Sequence, residues 1–398
     1  MSSMQVDTLN PGALSGGAIR FTRNEWSGAF GDLGTDLPLI VGMILAAHLD
    51  AASVLTLFGT MQILTALRYR IPMPVQPLKA MAALVITQRL SGNILYGAGL
   101  AIGVVMLLLT LTGLVDWVAR IVPKAVVRGI QFGLGLQLAS IALKDYASRD
   151  GVAGWILAAV GFSLTLFLIG RKKIPAAIFL IALGFIYAFA FRLSPSVLVT
   201  AAGLRLPGWH VPSGADIWTG FLLLALPQIP LSLANSILAT RQIAEDFFPE
   251  RHITVRGISL TYAAMNLVNP FGGGVPTCHG SGGMAGHYAF GGRTGGSVIL
   301  YGTFYLILGV FFSRGFDQVI QVFPMPVLGV LLLFEALTLI LLIRDLTGVP
   351  AEFFVTVLVG LIAVYLPYGY LVGLIGGSLI LWAIRGGFVR IKDPRPAA

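Results

Sequence analysis

Apolar stretches recur along the whole chain, and they constrain what it can fold into more than any other feature. Each is about 20 residues long, enough for a helix to cross the ~30 Å hydrocarbon core of a bilayer. Of the 398 residues, 56% are apolar and 11% are charged, and the mean hydropathy is +0.87. A soluble domain has about 25% charged residues, so the chain is predicted to be a polytopic integral membrane protein.

The hydropathy pattern predicts an all-α fold with fourteen spanning or half-spanning segments. They lie at 26–47, 49–66, 75–90, 94–116, 124–143, 152–169, 174–192, 216–240, 253–268, 277–290, 296–313, 317–334, 335–364 and 367–386. The polar stretch 1–25 lacks the apolar core of a signal peptide. It and residues 387–398 are expected to be tails on the same side of the membrane.

Basic residues predict the orientation of these segments. If the N-terminus is cytoplasmic, 19 of the 26 Lys and Arg residues fall in cytoplasmic loops, as the positive-inside rule requires. The cations on or near the outer side are Arg89, Lys144, Arg149, Arg192, Arg205 and Arg314. The net charge of +9 therefore belongs to membrane loops and does not indicate a nucleic-acid partner. Both tails are expected in the cytoplasm, with the protein in a plasma membrane or bacterial inner membrane.

Unusual segments of the first half are matched in the second half. The polar, proline-containing run 31–38 in segment 1 corresponds to 227–236 in segment 8. The proline-broken stretch 72–77 corresponds to 269–276. Since seven segments per half is an odd number, the halves must have opposite orientations in the membrane. The chain is therefore predicted to be a seven-plus-seven inverted repeat.

Segments 3 and 10, at 75–90 and 277–290, are predicted to be half-helices. Prolines up to Pro77 prevent a helix from starting before about Gln76–Leu78. From there to Gln88 the helix is roughly 18 Å long, too short to span. Between positions 272 and 296, 11 of 25 residues are glycine, so this approach cannot be a regular lipid-facing helix.

Two half-helix N-termini that face each other would form an anion site, because each brings free amide hydrogens and a partial positive charge. Irregular backbone at this depth is tolerated only where it is buried or lines a cavity. The alternative is that the glycines merely allow close helix packing. The expected substrate-binding groups here are the backbone amides of Gln76, Leu78, Cys278, His279 and Gly280 and the hydroxyls of Thr277 and Ser281.

Lys79 is the charged residue that this hypothesis singles out. A lysine inside an apolar segment is costly and usually functional, and Lys79 falls in the first turn of the first half-helix. It would add positive charge to the anion site. The alternative is an internal ion pair with Asp32 or Asp36 and no substrate contact.

Further polar side chains interrupt segments 1 and 8. Thr35, Gln228, Ser232 and Asn235 are candidates for hydrogen bonds to a substrate, or else for contacts between helices. Positions 228, 232 and 235 share one helix face. Asp32 and Asp36 are candidates for balancing Lys79 or for carrying a coupled proton. Glu335, alone in an apolar run, is a candidate for a proton relay or else for pairing with another helix.

Metal and enzyme chemistry are not supported by the motifs. Cys278 is the single cysteine, and Cys278, His279 and His287 are poorly spaced for a metal. The nucleophile elbow, the P-loop lysine–serine pair and the His-Glu-x-x-His motif are all missing from the sequence. The prediction is therefore no metal and no cofactor, with a membrane-embedded enzyme as the least favoured alternative.

Four motifs, in order, resemble the molybdate transporters of the sulfate permease superfamily. They lie at 30–38, 73–80, 227–231 and 275–283. Ordinary sulfate permeases carry a cytosolic regulatory domain after the last span, whereas this sequence ends soon after segment 14. That departure favours the molybdate branch.

The resemblance implies the uracil-permease-like fold, in which core segments move against gate segments, and a homodimer. The first repeat, 26–195, would hold core segments 26–116 and gate segments 124–192. The second repeat, 210–386, would hold core segments 216–313 and gate segments 317–386. The implied function is secondary transport of a tetrahedral oxyanion such as molybdate. Sulfate or tungstate, and then a nucleobase–proton symporter, are the alternatives.

Overall fold

The structure, a computed structural model, describes residues 18–115, 117, 122–168, 176–191 and 203–389. Most of the two predicted tails falls outside these residues. So do several predicted loop cations: Arg120, Arg171, Lys172, Lys173, Arg192, Arg390, Lys392 and Arg395.

The first half of the described chain is built from helices and one short strand. In order these are α1 (Arg23–Ala29), α2 (Leu33–Ala47), α3 (Ala51–Tyr69), β1 (Val75–Pro77), α4 (Lys79–Gln88), α5 (Gly92–Leu111), α6 (Lys124–Ile141) with a π-helical end (Ala142–Ala147), α7 (Gly151–Leu168) and α8 (Ala176–Phe191).

The second half of the described chain is likewise built from helices and one short strand. In order these are α9 (Gly214–Phe247), which contains two π-helical turns (Phe221–Ala225 and Ser232–Leu238), α10 (Val255–Val268), a 3₁₀ turn (Asn269–Gly272), β2 (Thr277–His279), α11 (Ser281–Ala289), α12 (Gly296–Phe311), α13 (Ser313–Val322), α14 (Met325–Leu341) with a 3₁₀ end (Leu342–Leu346), α15 (Pro350–Tyr365) and α16 (Gly369–Arg385).

The described helices include six that are long and apolar enough to cross a membrane. The pair α1 and α2, bent by 41° at the break between them, would make a seventh. Four shorter apolar helices, α8, α12, α15 and α16, lie beside them. The protein is therefore a multi-pass membrane protein, whereas the count of fourteen segments remains a prediction.

The break between α1 and α2 allows α11 to approach closely. A Cβ atom added at Gly28 would lie 2.5 Å from the nitrogen of Gly292, and one added at Gly31 would lie 2.6 Å from the backbone of Gly286. Any side chain at either position would push the backbones apart. These glycines are needed for packing of the broken first span against the second half-helix.

The two short helices lie where half-helices were predicted. Helix α4 has ten residues and α11 has nine, which corresponds to about 15 Å or less. Each follows an extended segment, as the prolines require. Two details of the prediction are wrong. The fold is not purely α-helical, because β1 and β2 pair, and the residues at 277–279 belong to β2 and do not open the second helix.

Candidate functional site

The two strands form a small antiparallel pair between the halves of the chain. Val75 is opposite His279, Gln76 is opposite Cys278, and the remaining pair is Pro77 with Thr277. Both strands are buried throughout. Each strand leads within one residue into a half-helix, so the pairing brings the N-termini of α4 and α11 close to one another.

A buried amide side chain holds each strand from the preceding helix. Gln62 on α3 accepts from the amide of Val75 at 2.8 Å and donates to its carbonyl at 2.6 Å. Asn266 on α10 makes the same two bonds with Thr277, at 2.9 and 2.6 Å. Sequence analysis missed both residues. The available signal was an amide side chain on an otherwise apolar helix, at related positions in the two halves.

Several backbone amides that were expected to bind an anion are used by the protein itself. Leu78 and Gly280 donate to proline carbonyls of the opposite segment, at 3.0 and 3.4 Å. Antiparallel pairs alternate between bonded and non-bonded positions, which makes Gln76 and Cys278 the bonded pair of the ladder. These amides are not free because the two strands pair with each other, which the sequence did not predict.

Gln228 caps the first half-helix. Its Oε1 accepts from the amides of Ala80 and Met81, at 3.0 and 3.4 Å. Its Nε2 donates to Ser232 Oγ at 3.2 Å, and that hydroxyl lies 2.7 Å from the hydroxyl of Tyr262. Gln228 and Ser232 were candidates either for substrate binding or for contacts between helices, and these hydrogen bonds are contacts between helices.

Asp32 lies at the first turn of the second half-helix. Its carboxylate accepts from Gln76 Nε2 at 2.7 and 2.6 Å. A Cβ atom added at Gly283 would lie 2.2 Å from Asp32 Oδ2. Asp32, which directly precedes α2, thus lies against the first turn of α11.

Lys79, the first residue of α4, forms an ion pair with Glu335 on α14. The alternative considered for Lys79 was an ion pair with Asp32 or Asp36, and the structure gives Glu335 as the partner instead. Thr35 also donates its hydroxyl to Glu335, at 3.1 Å, while Asp36 accepts from the hydroxyl of Tyr301 at 3.0 Å. The side chain of Lys79 is 27% exposed and that of Glu335 is 6% exposed. The side chain of Lys79 is therefore paired with a carboxylate and remains partly exposed.

The residues of β2 are engaged and buried. The hydroxyl of Thr277 accepts from Asn269 Nδ2 at 3.1 Å. His279 Nε2 lies 2.6 Å from the hydroxyl of Thr261, and Cys278 is also buried. These side chains support the strand pair, and none of them lies in an open space.

An open face remains at the start of α11. Ser281 is half-buried and Gly282 is exposed. A Cβ atom added at Gly282 would meet no heavy atom within 4 Å, whereas one added at Gly280 would lie 2.1 Å from Gln76 Oε1. Free amide hydrogens are a property of the first turn of any helix, and here that turn is accessible.

Asn235 lies apart from the other predicted residues. It lines a cavity of about 440 Å³ together with Lys124 and Arg128. The π-helical turn Ser232–Leu238 changes the helical phase, so Asn235 no longer shares a face with Gln228.

A broken first span and two short helices that follow paired strands define the fold of this membrane protein, and solved structures share that fold. Solved structures with this fold include the transmembrane domain of the cyanobacterium bicarbonate transporter BicA, with 16% identity, a TM-score of 0.63, and coverage of 87% of this chain and 98% of that chain. They also include SLC26A9, with 14% identity, a TM-score of 0.66, and coverage of 90% and 65%.

The chain belongs to the molybdate transporter family. The family described as "Molybdate transporter of MFS superfamily" matches residues 24–138 and 220–339. Molybdate transporter 2 of Arabidopsis thaliana is 32% identical over 84% of this chain and 82% of its own length. Molybdate transporter 1 of the same species is 32% identical over 90% and 88%. Molybdate transporter 1 of Chlamydomonas reinhardtii is 27% identical over 91% and 92%.

These matches confirm the resemblance carried by the four motifs and the interpretation of a transporter rather than an enzyme. The name of the family refers to the MFS superfamily, whose transporters are built from two six-helix halves. The structural similarity to BicA and SLC26A9 supports instead a sulfate-permease-like fold.

Proposed function

We propose that this protein is a secondary active transporter that carries molybdate, a tetrahedral dianion, by alternating access. Its family and its relatives, which are named molybdate transporters, support this substrate. Proteins with the same fold are titled a bicarbonate transporter and an anion transporter, which supports anion transport.

The observation that carries the proposal is the carboxylate of Glu335, itself an oxyanion, held by Lys79 and Thr35 at the start of a buried half-helix. Charge-assisted hydrogen bonds of this kind are strong. In the proposed mechanism molybdate takes the place of that carboxylate. It binds the ammonium of Lys79, the hydroxyl of Thr35 and the open first turn of α11 at Ser281 and Gly282.

Charge balance supports a coupled proton. Asp36 lies on the same helix as Thr35, Asp32 directly precedes that helix, and Glu335 contacts Lys79 directly. Bringing a dianion to one ammonium and three carboxyls is unfavourable in a medium of low dielectric constant. Protonation of Glu335 on its release from Lys79 would remove one negative charge as the anion arrives, and the proton would travel with it.

The contacts of Glu335 connect the predicted core to the predicted gate. Lys79 and Thr35 lie in core segments, whereas Glu335 lies in a gate segment. Exchange of Glu335 for the substrate would break this connection and allow the core to move against the gate. Cytoplasmic termini and a homodimer are part of the same proposal.

Ligand protection against thermal unfolding tests the substrate class. A ligand that binds only the folded protein stabilises it, by about 2.7 kcal/mol at a concentration of 100 Kd. Molybdate should raise the melting temperature of the purified full-length protein, and uracil at equal concentration should not. Competition by sulfate and tungstate ranks the alternative oxyanions. Protection by uracil with no response to any oxyanion would overturn the anion assignment.

A matched pair of glycine variants locates the site in the same assay. Gly282→Leu should abolish protection and leave the melting temperature of the unliganded protein unchanged, because the added side chain enters open space. Gly280→Ala should lower the unliganded melting temperature, since its Cβ would collide with Gln76. Gly280 was expected to border the anion directly, and its contact with Gln76 changes that expectation. Full protection of Gly282→Leu by molybdate would contradict the proposed site.

A further inference from the structure

A cavity of about 1030 Å³ opens where α2 and α4 end. One wall carries the last residues of these helices, including His48 and Arg89. The opposite wall is formed by α6 and its π-helical end, with contributions from α13, α14 and α15. The cavity therefore lies between the predicted core and gate, on the face to which the half-helix α4 points its C-terminus.

The cavity has an excess of positive charge. Arg89, Lys144 and Arg149 line it and are exposed, and the carboxylate in the same lining is Asp145. In the part of the chain that the structure describes, none of the three cations forms an ion pair. Cations that line a cleft with low-dielectric walls raise the local concentration of anions and their rate of arrival.

The cavity of about 440 Å³ lies at the other end of α6, and its cations, unlike those of the larger cavity, form ion pairs. Lys124, Arg128 and Arg385 line it, but each has an acidic partner. Lys124 and Arg128 bind Asp345 at 2.7 and 2.8 Å, and Arg385 binds Glu352 at 2.7 Å. Of these two cavities, only the larger one presents cations without ion pairs.

The larger cavity is separated from Lys79 by the length of α4. Ten residues of helix correspond to about 15 Å, which exceeds the Debye length of about 8 Å at physiological ionic strength. The exposed cations therefore act weakly on an anion already bound at Lys79. Their influence falls on anions that approach from water.

We propose that this cavity, the basic vestibule, is a second and weaker oxyanion site, where Arg89, Lys144 and Arg149 capture the substrate before it reaches Lys79. The inference rests on the proposed function in one respect, namely that the captured anion is the transported one. Arg89 also complements the C-terminal dipole of α4, so the test leaves it in place and removes the other two cations.

Initial uptake of labelled molybdate by cells that express the full chain measures the contribution of the vestibule. The double variant Lys144→Gln/Arg149→Gln should raise KM about fivefold to tenfold, leave kcat within about twofold, and weaken the dependence of KM on ionic strength. The charge-preserving variant Lys144→Arg/Arg149→Lys should behave as the unmodified protein. Lys124→Gln/Arg385→Gln removes the same charge from the opposite cavity and should change KM by less than about twofold.

Equilibrium binding to purified protein in neutral detergent separates the two sites. Lys79→Ala should retain weak molybdate binding that disappears when Lys144→Gln/Arg149→Gln is added. An unchanged KM in the double variant, a loss confined to kcat, or no residual binding in Lys79→Ala would overturn the vestibule and leave the site at Lys79 intact. If molybdate does not bind the unmodified protein but tungstate or sulfate does, the proposed substrate fails and the vestibule is tested with that anion.

An anionic lipid headgroup has the same chemistry as a free oxyanion and is the other source of a ligand. Repeating the binding measurement with and without added anionic lipid distinguishes them. Binding of free molybdate to the vestibule in lipid-free detergent supports capture from water. If Lys144→Gln/Arg149→Gln changes binding only when anionic lipid is present, capture of the oxyanion from water is overturned.

Discussion

Lys79 and Glu335 illustrate how much of the site depends on single residues. They lie 256 positions apart, and each satisfies the charge of the other. Removing one partner of a buried pair leaves an uncompensated charge, which is costly in itself. Since Lys79 is 27% exposed, water relieves part of that cost. Single substitutions at this pair therefore report both binding and stability, and a double variant is needed to separate them.

Substitutions at the pair predict opposite effects on binding. Lys79→Ala should weaken molybdate binding at least tenfold, or by about 1.4 kcal/mol. Glu335→Gln should strengthen binding, because the competing carboxylate is gone. A proton that travels with the anion should make uptake faster at low external pH, and Glu335→Gln should abolish this acceleration. Lys79→Ala/Glu335→Gln should restore the thermal stability of the unliganded protein but not its affinity. Thermal shifts measure the first and third effects, and uptake at different external pH values measures the second.

Weaker binding by Glu335→Gln would contradict the role of Glu335 as a competitor of the substrate. Glu335→Asp is the control, because it keeps the charge on a shorter side chain. It should retain acceleration at low pH.

At the scale of elements, the strand pair depends on helices that do not contribute to the ladder. Gln62 on α3 and Asn266 on α10 each satisfy one donor and one acceptor of a strand. An unpaired buried polar group costs about 1–3 kcal/mol. These two side chains therefore hold the first residue of each strand, a short distance before the half-helix that follows.

Replacing either amide should disorder the start of a half-helix. Asn266→Leu should lower the free energy of unfolding by about 2–4 kcal/mol, because two backbone groups of Thr277 lose their partners. It should also abolish protection by molybdate. The control is Thr338→Val on α14, where the exposed hydroxyl bonds only to its own helix. Unfolding in detergent with and without molybdate measures both effects, and a response of Asn266→Leu no larger than that of the control would contradict the role.

At the scale of the whole molecule, the contacts of Glu335 are the connection that transport must break. Thr35 lies on the core side of that connection and donates to Glu335 at 3.1 Å. If core and gate move against each other, a covalent link between a core helix and a gate helix should stop transport. If they move as one body, the link should have no effect.

A cross-link between core and gate tests this movement. Gly34→Cys/Ala177→Cys, made in a Cys278→Ser background, allows a short bifunctional thiol reagent to join core helix α2 to gate helix α8, because a Cβ atom added at Gly34 would lie 3.3 Å from the Cβ atom of Ala177. Neither residue belongs to the proposed binding site. Uptake should fall to background after cross-linking and recover with a reagent that can be cleaved. Each single-cysteine variant treated in the same way is the control. Undiminished uptake by fully cross-linked protein would exclude relative movement of these two helices.

Sequence by itself determined the features that depend on local composition. Apolar segment length predicted the membrane class, and prolines before Leu78 predicted the half-helix that α4 forms. A charge inside an apolar segment indicated Lys79, and four motifs indicated the family. Each follows from the solvation or backbone geometry of a short stretch of chain, which hardly depends on the rest of the molecule.

Only the tertiary structure decided which distant groups meet. Pairing of β1 with β2 occupied amides that were expected to be free, and Glu335 rather than an aspartate of α2 reached Lys79. Gln228 became a helix cap, and cations from two distant segments of the chain came together around the basic vestibule. Sequence carries no distance between residues that lie far apart, and the hydrogen bonds and charge interactions at this site act over a few ångströms. The chemistry of the site is therefore set by packing.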